Sequence, residues 1–217
     1  MGTHAYGKYP PEHAFGGVKV LNIGCGFAQW KKPNVVNVDA FDICKPDVVH
    51  DLNKTPFPFK DETFDLVFAN HILEHLPNWW ECLNECARVL KPGGKIEIWV
   101  PGSGADSIRG YRDHVNEINN CSFFGVFGTY RASGNAWAVE NAGCHANRLI
   151  MRDSTVAVKN LWWLRVLPQS LKTWCSVHLR NVNIENGYFL EKVGVQAHEK
   201  EMEKFNARVK ANFPVSV

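Results

Sequence analysis

The chain has 217 residues, of which 45% are hydrophobic and 21% charged, and its formal net charge is +2. A chain of this length and composition can bury a full core, which excludes a disordered or collagen-like protein. The balanced charge does not by itself indicate a nucleic-acid-binding protein, and no apolar run approaches the ~20 residues of a membrane-spanning helix.

The cysteines and the N-terminal residues bear on the cellular compartment. The seven cysteines are odd in number and include no C-x-x-C pair, so a secreted disulfide framework is not expected. Residues 1–16 are polar and contain no apolar signal core. The sequence therefore predicts a reducing, cytoplasmic location.

The first half of the chain alternates between predicted strands and turns. Residues 1–16 are rich in Gly, Pro, His and Tyr and are predicted to form an irregular arm. Four apolar runs that end at glycine or a polar residue predict buried strands: Val18–Ile23 before Gly24-Cys25-Gly26, Val35–Val38 before Asp39, Asp47–His50 before Asp51, and Phe64–Ala69 before Asn70.

A helix and a fifth strand follow. Trp80, Leu83, Ala87 and Leu90 recur at helical spacing, which predicts a helix over about residues 78–90 that ends at Lys91-Pro92-Gly93-Gly94. Residues 95–100 alternate as a strand does. The pattern is less regular after residue 102, although residues 173–182 could form a strand and residues 197–212 are predicted to be helical.

These elements predict an α/β fold: a Rossmann-like, doubly wound, mainly parallel sheet with helices on both faces and an insertion after the fifth strand. We expect one domain over residues 1–217. It would comprise the arm 1–16, a cofactor-binding half 17–101, an acceptor-site insertion 102–182 and a C-terminal strand and helix region 183–217. Ligands of such sheets bind beyond the carboxyl ends of the strands, where the residues that follow each strand meet.

The glycine turn and the acid after the second strand are the first indication of a ligand. Glycines let a backbone approach a ligand closely, and an acid such as Asp39 can accept hydrogen bonds from a ribose diol. The third glycine of the dinucleotide fingerprint is replaced by Gln29, and Asp39 lies closer to the turn than that fingerprint requires. Both departures weigh against NAD or FAD.

Six motifs in order resemble the class I S-adenosylmethionine-dependent methyltransferases, and most closely their small type 11 group. The resemblance covers about residues 17–101 and rests on Leu21-Asn22-Ile23-Gly24-Cys25-Gly26, Asn37-Val38-Asp39, Asp51-Leu52, Phe64-Asp65-Leu66-Val67, Leu73-Glu74-His75-Leu76 and Arg88-Val89-Leu90-Lys91-Pro92-Gly93-Gly94. It implies the predicted fold and S-adenosylmethionine as the cofactor.

The resemblance also implies roles for individual residues. Gly24, Cys25 and Gly26 would meet the methionine part of the cofactor, Asp39 the ribose, and Asp51 with Leu52 the adenine, while Asn70 and His71 would lie near the methyl group. Two departures stand out. Asn22 replaces the acid of many relatives, which would weaken one cofactor contact, and residues 27–34 are too short for the usual first helix.

His71-Ile72-Leu73-Glu74-His75 also has the spacing H-x-x-E-H of one class of zinc hydrolases. On a helix, His71 and His75 would share a face, as a zinc site requires. The motif follows a buried strand directly, precedes Pro77 closely and coincides with the methyltransferase resemblance. The sequence therefore favours methyl transfer, for which no metal is predicted.

The region after the fifth strand is expected to form the acceptor pocket. Arg109 or Arg112 could hold an anionic group, and His71 and His114 are the candidate general bases. A small-molecule acceptor is favoured. A protein or nucleic acid is the alternative, because residues 102–217 carry 14 basic and 10 acidic side chains. A non-catalytic domain that only binds S-adenosylmethionine is the other alternative.

Overall fold

The computed structural model describes residues 16–102, 111–123, 148–158, 168, 170–171 and 184–212. Seven strands form one sheet in the order β3-β2-β1-β4-β5-β7-β6. The strands are β1 (Val20–Ile23), β2 (Val35–Asp39), β3 (Val48–Val49), β4 (Phe64–Asn70), β5 (Leu90–Pro101), β6 (Leu149–Val158) and β7 (Ile184–Lys192). Strands β1 to β5 pair in parallel, whereas β7 runs antiparallel to both β5 and β6. The α/β fold class predicted from the sequence is confirmed.

The predicted elements of the first half are found where the sequence places them, with one correction. Helix α1 spans Trp79–Val89, and α2 spans Val195–Asn212. The glycine-containing segment Lys91–Gly94 was predicted to separate α1 from the fifth strand. Instead β5 begins at Leu90, directly after the helix, and Phe64 of β4 already pairs with Leu90. A register shift between Phe64 and Leu66 accommodates this segment within the paired strands.

The second half adds two strands to the sheet. Strand β6 lies within residues 102–182, the range predicted to form the acceptor-site insertion, and it is an edge strand. The possible strand over 173–182 and residues 1–15 of the predicted arm lie outside the described residues. None of the helices in the described ranges has both the length and the apolar character needed to cross a membrane.

Trp30 covers the part of the sheet where a first helix is missing. Residues 24–34 contain no helix, as their length predicted. The Trp30 side chain packs against the buried residues Val20, Val35 and Leu66, and its ring centroid lies 4.6 Å from that of Phe68. The amide of Asn37 fixes its position by accepting from the Trp30 N–H and donating to the Trp30 carbonyl. Among the described residues, the Trp30 indole and the Val18 side chain therefore cover this apolar cluster.

A charged network ties α1 to the loop before β4. The Arg88 guanidinium donates to both carboxylate oxygens of Glu85, to Asp61 and to the carbonyls of Phe57 and Phe59. Glu85 also accepts the Phe57 N–H at 2.6 Å. The burial of Glu85 would raise the pKa of its carboxyl, but these hydrogen bonds and the Arg88 charge outweigh burial and hold it below its usual value.

The turn after β1 has a left-handed backbone at both of its glycines. Gly24 has φ +62° and Gly26 has φ +49°, a region that L-residues with a Cβ occupy only with strain. A Cβ on Gly24 would lie 2.5 Å from Cγ1 of Ile72, whereas a Cβ on Gly26 would meet nothing within 4 Å. Gly24 is therefore required for packing as well as for conformation, and Gly26 faces open space.

We expect Glu85→Ala to lower the free energy of unfolding by about 2–3 kcal/mol, because it leaves Arg88 and the Phe57 N–H without their carboxylate. Urea denaturation measures the loss. Glu81→Ala, at an exposed position of the same helix, is the matched control and should change stability by less than about 0.5 kcal/mol. Equal effects of the two substitutions would contradict this account of the network.

The contribution of Glu85 should depend on pH. A carboxyl whose pKa is lowered by folding stabilises the protein above its unfolded pKa of ~4.3, and the stabilisation is lost as the pH falls through the folded value. The stability difference between wild type and Glu85→Gln should therefore be constant from neutral pH to about pH 5 and shrink below about pH 4. Other carboxyls titrate in both proteins and cancel. A pH-independent difference would mean that charge is not involved.

We expect Gly24→Ala to lower the free energy of unfolding by about 3 kcal/mol or more, because backbone strain and the contact with Ile72 add. Gly26→Ala carries only the strain, about 1–2 kcal/mol. Urea denaturation of the two variants compares them directly. The packing argument fails if both alanines are equally tolerated.

Candidate functional site

The carboxyl ends of the first four strands meet at one edge of the sheet. The Cys25 N–H after β1 donates to the carbonyl of Val38 in β2, and the His50 N–H after β3 donates to the carbonyl of Asp39. The His71 N–H after β4 donates to the carbonyl of Trp99 in β5. The structure thereby brings the glycine turn and the residues after β2, β3 and β4 to one edge, as the sequence predicted.

Asp39 is held firmly beside the glycine turn. Its Oδ2 accepts the Gly26 N–H at 2.8 Å, and its Oδ1 accepts the Phe41 N–H at 3.0 Å. The residue is only 8% exposed. A carboxylate offers about four acceptor positions, so two remain after these bonds. That is the number that the two hydroxyls of a ribose diol would use.

Two apolar residues beside Asp39 were not identified from the sequence. Phe41 is 69% exposed and Ile43 is 77% exposed, although both are large and hydrophobic. They follow Asp39, the predicted ribose contact, closely in the chain. This closeness in sequence could have identified them as candidate site residues. Exposed apolar side chains at the edge of a crevice can cover the flat face of a purine.

Asp51 and Leu52, the predicted adenine contacts, follow β3. The Asp51 carboxylate accepts from the backbone and side-chain amides of Asn53 and lies 3.7 Å from the Lys54 ammonium. These groups lower the pKa of Asp51, the Asn53 N–H most strongly. Leu52 is 3% exposed and belongs to the core cluster. Its side chain is thus part of the hydrophobic core.

The other predicted cofactor residues of β1 have buried side chains. Cys25 is buried, and its burial together with the Asp39 charge raises the pKa of its thiol to about 12. Only its backbone is available at the crevice. Asn22, which replaces the acid of many relatives, donates at 3.0 Å to Asn37, and Asn37 in turn donates to Asp47. Asn22 therefore belongs to a buried amide network.

His71 lies between two buried carboxylates. Its backbone has φ +52°, its Nδ1 is 3.2 Å from Glu74 Oε1 and its Nε2 is 2.9 Å from Glu185 Oε1. Burial lowers the pKa of His71, but the hydrogen bonds to Glu185 and Glu74 outweigh it and raise the pKa to about 9. Both ring nitrogens are engaged, which argues against its predicted role as a general base. Asn70, the last residue of β4, is half-buried beside it.

The H-x-x-E-H spacing does not place His71 and His75 on one helical face. Residues 73–75 form a single 3-10 turn that His71 precedes, and the His71 ring contacts Glu185 instead. His75 meets His114 from the segment after β5, with ring centroids 4.6 Å apart. Glu74, His75 and His114 each offer one possible metal-ligand atom, and these atoms lie within 4.8 Å of one another.

Hydrogen bonds attach the segment around His114 to this turn. Val115 and Asn116 donate their N–H groups to the Glu74 carbonyl, and the Asn116 side chain donates to the Leu76 carbonyl. Burial and the neighbouring imidazoles of His75 and His71 lower the pKa of His114. Arg112, a predicted anion contact, is exposed in the same segment, whereas Arg109 lies outside the described residues.

The residues present fit S-adenosylmethionine at this edge. Gly26 leaves open space where any side chain would stand, and Asp39 beside it keeps acceptor capacity for a diol. Phe41 and Ile43 present exposed apolar surface next to Asp39. A glycine with room beside it, a carboxylate with acceptor capacity and exposed apolar side chains thus follow β1 and β2.

Comparisons with known proteins find similarity in the first half of the chain. Residues 21–98 match the family model described as a methyltransferase domain. The sterol 4-C-methyltransferase of Caenorhabditis elegans is 32% identical over 40% of this chain and 25% of its own length. The demethylmenaquinone methyltransferase of Bacillus mycoides is 28% identical over 37% of this chain and 43% of its own length. The chain thus matches less than half the length of both relatives.

The fold agrees with this match. A S-adenosylmethionine-dependent methyltransferase from Archaeoglobus fulgidus superimposes with a TM-score of 0.54 at 15% identity, covering 81% of this chain and 86% of that one. At this identity the likeness concerns the fold. Residues 21–98 thus resemble a methyltransferase domain, and the sheet topology agrees with the α/β fold of such domains.

Proposed function

We propose that this protein transfers the methyl group of S-adenosylmethionine to a small-molecule acceptor. The observation that carries the proposal is the pairing of Gly26 with Asp39. The Gly26 N–H donates to the Asp39 carboxylate at 2.8 Å, at the edge where the parallel strands end. Gly26 has room beside its Cα, and the carboxylate keeps acceptor positions for a ligand. The domain match over residues 21–98 supports the same conclusion.

The residues of the chain would act mainly by positioning. S-adenosylmethionine supplies an electrophilic methyl group on a sulfonium. Asp39 would hold the ribose hydroxyls, Phe41 and Ile43 would cover the adenine, and Asp51 would accept from its amino group. The backbone at Gly24 and Gly26 would contact the methionine part. Holding two reactants in line can supply ~7–11 kcal/mol of the barrier, so the arrangement needs little further chemistry.

Asn70 and His71 would border the methyl group, because they end β4 beside the glycine turn. The hydrogen bonds of His71 to Glu74 and Glu185 would fix its ring there. Of the two histidines predicted as general bases, only His114 has a buried ring nitrogen, Nδ1, that meets no hydrogen-bond partner among the described residues. While this nitrogen binds no metal ion, proton removal from the acceptor would therefore fall to His114 in preference to His71.

The acceptor class follows from the relatives and from the charge. The two curated relatives are named for a sterol and for demethylmenaquinone, which are both small molecules. The net charge of +2 gives little attraction for nucleic acid. We place the protein in the cytoplasm, because Cys25, Cys44, Cys82 and Cys86 are free thiols.

Calorimetric titration tests the cofactor site. Wild type should bind S-adenosylmethionine and S-adenosylhomocysteine saturably and should not bind NAD. Asp39→Asn keeps the shape of the side chain but removes its charge and one acceptor oxygen, so affinity for both ligands should fall about 10- to 100-fold. Unfolding curves show whether the variant is folded. Absence of binding by the folded wild type would falsify the proposal.

Lys60→Ala is the control, because Lys60 lies outside the crevice in the loop before β4 and its removal should leave both titrations unchanged. Turnover is then assayed with radiolabelled S-adenosylmethionine and pools of small-molecule and macromolecular acceptors. Labelled product in the small-molecule pool supports the proposal. Label in protein or nucleic acid contradicts the acceptor class, and tight binding with no transfer to any pool would indicate a non-catalytic domain.

A further inference from the structure

The carboxylate of Glu74 is buried and only partly satisfied. The Glu74 side chain is 2% exposed, its Oε1 contacts His71 Nδ1 at 3.2 Å, and its Oε2 meets no hydrogen-bond partner in the part of the chain that the structure describes. An ionised carboxylate out of water is costly unless every oxygen meets a donor or a cation. A buried carboxylate that lies close to two imidazoles and keeps one oxygen without a described partner is an arrangement that a cation would complete.

Two imidazoles converge on this carboxylate. One possible ligand atom each from Glu74, His75 and His114 lies within 4.8 Å of the other two. His75 Nδ1 contacts the Asp113 carbonyl at 3.1 Å and the Asp113 carboxylate at 3.4 Å, which leaves Nε2 as the nitrogen for a ligand. His114 Nδ1 is buried and has no hydrogen-bond partner within the described ranges.

The contacts behind these three side chains are those that orient metal ligands. Ligating histidines commonly donate their other ring nitrogen to a carbonyl or carboxylate, as His75 does to Asp113, and ligating carboxylates are themselves hydrogen-bonded, as Glu74 is to His71. The backbone bonds from Val115 and Asn116 to the Glu74 carbonyl join the His114 segment to the turn. The three groups are therefore held together without an ion.

We propose that Glu74, His75 and His114 form a binding site for a divalent transition-metal ion of the Zn²⁺ type. Two imidazole nitrogens and one carboxylate oxygen suit zinc and its first-row neighbours better than Mg²⁺ or Ca²⁺, which prefer oxygen ligands. His71 is not a ligand in this site, so it differs from the pair that the H-x-x-E-H spacing suggests. His71 would position Glu74.

Three protein ligands leave at least one coordination position open. In zinc enzymes that have two His and one Glu as ligands, water or substrate takes this position. The site lies two residues beyond Ile72, which touches the glycine turn, so an ion there would border the proposed cofactor crevice. The open position is therefore suited to an oxygen atom of the acceptor. This inference does not depend on methyl transfer, because metal binding can be measured without it.

Metal titration of the full chain, after removal of metals by chelation, tests the site. One equivalent of Zn²⁺ should bind, and Co²⁺ should replace it with a visible spectrum that lacks a thiolate charge-transfer band. Loss of an outer-shell partner of a metal ligand typically weakens metal binding about 10- to 100-fold. Because His114→Asn removes a ligand itself, it should weaken Zn²⁺ binding more than about 100-fold. Glu74→Gln should have a similar effect.

Two further variants distinguish this site from incidental zinc binding. Asp113→Asn leaves the Asp113 carbonyl in place and should weaken Zn²⁺ binding less than about tenfold. His50→Gln removes a histidine outside the cluster and should leave binding unchanged. Far-ultraviolet circular dichroism and urea denaturation check that each variant is folded. His114→Asn changes a half-buried residue in a loop, so it tests the site even if Glu74→Gln is unstable.

The proposal is overturned if wild type binds less than one equivalent, or if His114→Asn binds Zn²⁺ as wild type does. A thiolate band from Co²⁺ would also overturn it, because the ion would then be bound by cysteine, for example at the buried neighbours Cys82 and Cys86. If the protein binds S-adenosylmethionine but not Zn²⁺, only the proposed metal site is refuted. If it binds Zn²⁺ but not S-adenosylmethionine, only the proposed function is refuted.

Discussion

The contact between Gly24 and Ile72 is the constraint on which the site depends. Strands β1 and β4 are neighbours, so the residues that follow them compete for the same space at the sheet edge. A Cβ on Gly24 would stand 2.5 Å from the Ile72 side chain. Only glycine lets the turn adopt its left-handed backbone while Ile72 stays beneath it. Asp39 is joined to this turn by the Gly26 N–H, and His71 and Glu74 flank Ile72 in the chain.

The parts of the site that were predictable are those encoded by local pattern. Strands β1 to β4 are short apolar runs that end at glycine or a polar residue. The sequence therefore predicts both the strands and the residues that meet at their carboxyl ends. Strand β6 was not foreseen, because charged residues such as Arg152 and Asp153 interrupt it, as an antiparallel edge strand with a solvated face allows. The start of β5 was missed because the glycines after Leu90 indicate a turn, whereas pairing with β4 overrides that preference.

Long-range partners could not be predicted from spacing. Glu185 lies 114 residues from His71 and reaches it only because β7 pairs with β5, which in turn pairs with β4. The structure therefore changes the interpretation of His71 from a free base to a hydrogen-bonded positioning group. In the same way, backbone hydrogen bonds to the Glu74 carbonyl bring the segment of His114 close to His75, and no sequence motif indicates these bonds. The H-x-x-E-H spacing pairs His71 with His75, whereas the structure brings His75 together with Glu74 and His114.

The replacement of a helix by Trp30 has a consequence for local opening of the molecule. A helix beside the glycine turn would be held by its own ladder of backbone hydrogen bonds, whereas residues 24–34 are held mainly by side-chain contacts, including those of Trp30, Asn37 and Asp39. Backbone amide hydrogens exchange with water through local opening. In a segment with few backbone hydrogen bonds, the free energy of this opening is lower than in the sheet that the segment covers. The wall of the crevice can thus detach while β1 and β2 stay paired, and ligand entry need not disturb the core.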